Sequence, residues 1–150
     1  MSAPAKSNVI LMAEDDADDR LLAQDALAES GSVVELRFVE DGVQLLDYLN
    51  RRHEFAAPAP APRPGLIILD LNMPRMDGRE ALQLIKARHE WKRIPVVVLT
   101  TSNAEPDIAR VYDLGAASFI TKPVAFDSLV ALMKVVVEYW LKVVVPPARG

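Results

Sequence analysis

The chain contains no cysteine. That excludes disulfides, thiolate metal sites and cysteine nucleophiles together, and it fits a reducing compartment such as the cytoplasm. Long apolar runs are missing as well. No segment reaches the roughly 20 apolar residues of a membrane span, so no membrane partner is expected. Met1 to Ser7 are small and polar and lack the apolar core of a signal peptide, so a flexible N-terminus is expected over 1–7. There is no basic run, and the net charge is -4, which argues against a nucleic-acid partner. Internal repeats are absent too, and 150 residues suit one domain with no separate output module.

What the chain does have is a set of short apolar runs that end in chemistry. Leu66-Ile67-Ile68-Leu69, preceded by Gly65, reads as a strand buried on both faces, because a half-exposed strand would alternate polar with apolar. Asp70 follows at its C-terminal end. In an open parallel sheet covered by helices that end collects ligands, so Asp70 is placed like a reacting group. An aspartate capping a turn before Pro74 would look the same in isolation.

Asn8 to Ala13 is a second apolar run, ending in Glu14-Asp15-Asp16. A helix is expected from Asp16 to Gly31, with Asp16, Asp18 and Asp19 at its start and Leu22, Ala26 and Leu27 at helical spacing. Val33 to Val39 reads as a strand, and Asp41-Gly42 turns into a helix running to about Phe55. Residues 56–64 alternate proline with alanine and one arginine, which predicts a stiff polyproline-like loop. Asp77 to Glu90 then reads as a helix with Leu82 and Ile85 inward. Ile94 to Leu99 is a buried strand ending in Thr100-Thr101-Ser102, Ala104 to Leu114 a helix, Ala117 to Thr121 a brief strand before Lys122-Pro123, and Phe126 to Lys142 a last helix. Strands alternating with helices predict an α/β fold, a doubly wound parallel sheet with helices on both faces.

Parallel strands would bring Glu14, Asp15, Asp70, Thr100 and Lys122 to one edge. Clustered carboxylates repel unless a cation neutralises them, and an all-oxygen donor set suits a hard octahedral ion, for which Mg²⁺ is the natural candidate. Lys122 and Thr100 supply a point charge and a hydroxyl, the groups that hold phosphoryl oxygens. A carboxylate beside them can act as a nucleophile toward phosphorus. Taken singly, each residue is also an ordinary helix cap, turn residue or surface lysine.

Glu14-Asp15-Asp16, the run Asp70 to Gly78, Pro95 to Thr100 and Phe119-Ile120-Thr121-Lys122-Pro123 resemble the motifs of the receiver domain of bacterial two-component response regulators. The resemblance spans about residues 8–140, within a domain expected over 8–142, and implies a five-stranded flavodoxin-like fold with sheet order 2-1-3-4-5. It implies that Asp70 accepts the phosphoryl group, and that Asp15, Asp70 and the Asn72 carbonyl bind Mg²⁺ while Glu14 holds a metal-bound water. It also implies that Thr100 and Lys122 contact the phosphoryl group, and that Phe119 is the switch aromatic, lacking the hydroxyl of a tyrosine. The proline-rich insertion, the Pro95 to Ser102 run and the hydrophobic end further resemble single-domain regulators encoded with phytochrome-type sensor histidine kinases. A bacteriophytochrome kinase is then the expected partner.

The last helix carries one apolar stripe for the sheet, Phe126, Leu129, Met133, Val136, Val137 and Trp140. A second stripe, Ala131, Val135 and Tyr139, continues into a hydrophobic tail at 143–150 that includes Val143. Two apolar faces in a small protein predict a partner surface, here a homodimer through the fourth helix, fifth strand and last helix. Two rival functions fit the same fold less well. An aspartyl-phosphate phosphatase would need a second acid two residues after the nucleophile, where Asn72 stands. A docking module that is never phosphorylated would have no use for the full set of acids, Thr100 and Lys122.

Overall fold

A computed structural model describes residues 7–56 and 60–147. Five strands, β1 (Val9–Ala13), β2 (Glu35–Val39), β3 (Leu66–Leu69), β4 (Val96–Thr100) and β5 (Ser118–Thr121), alternate with five helices. The helices are α1 (Ala17–Glu29), α2 (Gly42–Asn50), α3 (Gly78–Ala87), α4 (Glu105–Asp113) and α5 (Phe126–Val137). All strand pairings are parallel, and the sheet order is β2-β1-β3-β4-β5, the flavodoxin-like arrangement.

The three central strands are buried throughout, as their unbroken apolar runs require, whereas edge strand β2 alternates exposed with half-buried residues before ending in the buried Val39. The pleat sends successive residues to opposite faces. Ile10, Met12, Ile68, Val97 and Leu99 pack under α1 and α5, through Ala23, Ala26, Leu27, Met133, Val136 and Val137. Leu11, Ala13, Ile67, Leu69, Val96 and Val98 pack under α2, α3 and α4, through Leu45, Tyr48, Leu82, Ile85 and Val111. Full burial of each leucine, isoleucine, valine or methionine among them is worth about 1.5–3 kcal/mol.

Local chemistry sets the helix starts. Asp16, Asp41 and Asp77 cap α1, α2 and α3 by accepting from backbone N–H groups of the first turn, so all three caps stand at the sheet edge that receives the strand C-termini. Helices α4 and α5 start at Ala104 and Ala125 without a side-chain cap.

Several boundaries differ from the sequence expectation. Helix α2 stops at Asn50, because Arg51 turns left-handed (φ 54°), and His53–Phe55 forms a separate 3₁₀ turn. Helix α3 stops at Ala87, where Arg88 becomes extended. Strand β2 starts at Glu35, and Val33 is exposed. Leu22 and Phe126 are not core residues: helical spacing put them on the packed stripes, but neither is covered. The last helix continues through Glu138–Val143 with wider π-type turns. In the proline-rich segment Tyr48 donates to the Pro62 carbonyl (2.9 Å) and Arg51 to that of Ala61 (2.9 Å), while residues 57–59 lie outside the described residues. Of the expected flexible N-terminus only Ser7 is described, and its hydroxyl donates to the Arg63 carbonyl (2.7 Å). Residues 148–150 of the tail also lie outside the described residues.

Candidate functional site

Glu14 and Asp15 follow β1, Asp70 follows β3, Thr100 closes β4 and Lys122 follows β5, so topology alone places all five at one edge. One carboxylate oxygen from each of Glu14, Asp15 and Asp70 lies within 4.8 Å of the others. Glu14 and Asp70 are buried and Asp15 is exposed, so the cluster opens to solvent on one side. The Lys122 ammonium reaches across it and donates to Asp70 Oδ2 (3.1 Å), Asp19 Oδ2 (3.1 Å) and Glu14 Oε1.

Three carboxylates, Glu14, Asp19 and Asp70, thus meet one ammonium, and the balance shows in the acidities of Glu14 and Lys122. Burial, reinforced by the charge of Asp70, pushes the Glu14 carboxyl up to about 7 against the pull of Lys122. Burial would lower the Lys122 pKa, but its bonds to Glu14 and Asp70 outweigh that and hold the amine above the usual lysine range. A site with surplus negative charge, oxygen donors only and one open side fits a hard divalent cation.

Backbone contacts hold the rest in place. Asn72 N–H donates to Asp70 Oδ1 (3.3 Å), and Asp16 N–H to Glu14 Oε2 (3.2 Å). The Arg20 guanidinium donates to the Glu14 carbonyl (2.8 Å) and pairs with Glu40 (3.3 Å). Thr100 is fully buried; its carbonyl accepts from Lys122 N–H (2.8 Å), and its hydroxyl oxygen accepts from Ser102 N–H at 3.5 Å. Phe119 is half-buried against the core under α4, and its N–H donates to the Tyr112 hydroxyl (3.0 Å).

The model for the response regulator receiver domain matches residues 10–134. The chain belongs to this family. The receiver is 40% identical over 140 residues to the response regulator Rcp1 of Synechocystis, covering 93% of each chain. Its fold is similar to the crystal structure of the phosphorylated cyanobacterial phytochrome response regulator RcpA (TM-score 0.85, 42% identity, 95% of this chain and 99% of that one). It is also similar to the Mn²⁺-bound form of Rcp1 (TM-score 0.82, 40% identity, 93% and 99%). Among the described residues of the receiver, no helix is long and apolar enough to cross a membrane.

Asp19 was not foreseen as a partner of Lys122. One signal existed: it lies four residues after Asp15, in the first turn of the helix that follows β1. The contact of Arg75 with Asp41 and the cap that Tyr112 places on β5 were also not foreseen.

Proposed function

We propose that this receiver is a single-domain phosphoacceptor, taking a phosphoryl group onto Asp70 from a phosphohistidine of a sensor histidine kinase in the cytoplasm. What carries this reading is the contact of Lys122 Nζ with Asp70 Oδ2 inside a cluster of three carboxylates whose oxygens lie within 4.8 Å. RcpA, described as a cyanobacterial phytochrome response regulator and covered over 99% of its length, supports a phytochrome-type kinase as the donor.

Asp15, Asp70 and the backbone carbonyl of Asn72 would hold the cation, with Glu14 behind a bound water. When present, Mg²⁺ supplies the positive charge that offsets repulsion between the acids and the incoming phosphoryl oxygens. An Asp70 oxygen attacks phosphorus, the P–O bond forms as the P–N bond breaks, and the electron pair leaves on the histidine nitrogen. Lys122 shifts from the free carboxylate to the new phosphoryl oxygens, and the Thr100 hydroxyl donates to another of them. Loss of the group to water regenerates the carboxylate, so the protein's chemistry is confined to its own Asp70.

The output is a shift between two arrangements of the β4–α4 region, biased by the dianion at Asp70. Phe119 has no hydroxyl, so its contribution is packing. The face that reads the switch is a homodimer interface on α4, β5 and α5, with Val135, Tyr139 and Val143 exposed on it.

Intact-mass measurement after incubation with Mg²⁺ and acetyl phosphate tests the reading. One phosphoryl mass is expected on the native chain and none on Asp70→Asn. An equal gain on both removes Asp70 from this role.

A further inference from the structure

The loop 71–77 joins β3 to α3 and contains Asn72, whose carbonyl the proposed function assigns to the cation. Its two ends are drawn together: Leu71 and Met73 are buried, and Gly78 N–H donates to the Leu71 carbonyl (2.8 Å). Its second half is held by an element that contributes nothing to the site. Gly42 N–H, in the first turn of α2, donates to the Met76 carbonyl (3.0 Å). A Cβ at position 42 would stand 2.5 Å from that same oxygen, so the approach has no slack.

Beside it, Arg75 adopts φ 62°, a left-handed conformation that an L side chain enters only at a cost. Glycine would take it freely. Arginine brings its guanidinium onto Asp41, with Nε donating to Oδ2 at 2.8 Å. Asp41 is 6% exposed, and its other oxygen accepts from Gln44 N–H (2.8 Å) at the start of α2. One buried carboxylate therefore ties the loop after Asp70 to the end of a neighbouring helix. Glu40 and Asp47 add attraction for the same guanidinium.

We infer that Asp41 and Arg75 are positioning residues for the cation site: their ion pair fixes the loop that presents Asn72, and so sets the affinity for a divalent ion. This rests on the proposed role of the Asn72 carbonyl, and it can be tested without phosphorylation.

Mn²⁺ is titrated into the full chain and into Arg75→Gly and Asp41→Ser, with free Mn²⁺ read by electron paramagnetic resonance and melting followed in parallel. Arg75→Gly relieves the left-handed strain, and Asp41→Ser can still cap α2, so both keep the fold. Each variant is expected to bind Mn²⁺ about tenfold more weakly, as loss of an orienting group behind a ligand does. The double variant is expected to be no weaker than either single one. The Mg²⁺ concentration for half-maximal phosphorylation by acetyl phosphate rises by the same factor. Native affinity in a folded Arg75→Gly, or no Mn²⁺ binding by the native chain, overturns the inference. Phosphorylation of Asp70→Asn would overturn the proposed function and leave the Mn²⁺ comparison to decide this one.

Discussion

Gly78 lies directly against Asp70: a Cβ at position 78 would stand 2.3 Å from the Asp70 carbonyl oxygen and 2.8 Å from the Leu71 Cα. Both obstacles are backbone, so neither can swing aside, and the backbone of the acceptor would have to move. Gly78→Ala is expected to destabilise the fold by about 1–3 kcal/mol, the usual range for overpacking a tight site. At roughly 2–4 °C per kcal/mol, thermal melting would show it. Acetyl phosphate labelling should fall with it, because the displaced atoms belong to Asp70. A variant that melts and labels like the native chain would show that α3 can slide away from β3.

Lys122 pairs with three carboxylates, Glu14, Asp19 and Asp70, and Glu14, its most buried partner, has a side chain only 1% exposed. Lys122→Met leaves that carboxylate with no positive partner. Breaking a buried pair costs about 3–5 kcal/mol. Part of this is recoverable, since a divalent ion at 100 times its Kd returns about 2.7 kcal/mol. The melting temperature of Lys122→Met should therefore rise more on adding Mg²⁺ than that of the native chain. Phosphorylation should nevertheless fall about 10²–10³-fold, because the donor to the phosphoryl oxygens is gone. Equal Mg²⁺ responses in the two proteins would contradict the placement of Lys122 inside the cation site.

Asp41 carries a pH signature distinct from that of the acidic cluster. Burial raises its pKa, but the hydrogen bonds from Arg75 and Gln44 outweigh this and hold the carboxyl below the usual aspartate value. A group depressed in the folded state binds more protons when unfolded. Its contribution is therefore present above the unfolded value of about 3.9, and it is lost as pH falls below that toward the folded value. Urea unfolding of the native chain and of Asp41→Ser, which keeps a capping oxygen, should differ by a constant amount from about pH 7 to 5. The gap should close below about pH 4. A gap unchanged at pH 3 would mean that the ion pair with Arg75 contributes nothing.

The edge that gathers Glu14, Asp70, Thr100 and Lys122 was legible because only two things decide it: where each apolar run ends, and that the strands run parallel. Neither depends on loop conformation. Asp19 was hidden because Asp16, Asp18 and Asp19 are equivalent as helix-start acids. Which of them turns toward Lys122 depends on where α1 begins, and Asp16 takes the cap. The Arg75–Asp41 contact was hidden for a different reason, since a left-handed backbone at arginine leaves no mark in composition or spacing. Leu22 and Phe126 show the limit of periodicity, which groups residues on a stripe without saying how far the sheet beneath it extends. Small residues, Ala23 and Ala26, form most of the buried face of α1.

The proposed dimer face has a cost built into it. Val135, Tyr139 and Val143 are 63%, 51% and 63% exposed, and they lie along the C-terminal helix on the side away from the sheet. Trp140 and Leu141, between them in sequence, turn inward and pack on the core under α1 and α5. The Tyr139 ring meets that of Trp140 edge-on at 5.1 Å, and Val144 N–H donates to the Tyr139 carbonyl (2.8 Å), so the outward stripe is in contact with the inward one. A chain ending at Glu138 would lose Tyr139 and Val143 together with Trp140 and Leu141 and confuse association with folding. Tyr139→Glu changes the outward stripe alone. Sedimentation of the full chain is expected to show a dimer, and Tyr139→Glu a monomer with an unchanged melting temperature at low concentration. A native chain that sediments as a monomer at about 100 µM, with and without acetyl phosphate, would leave those three side chains for another partner, since a Kd above that level is weak for an interface of standard size.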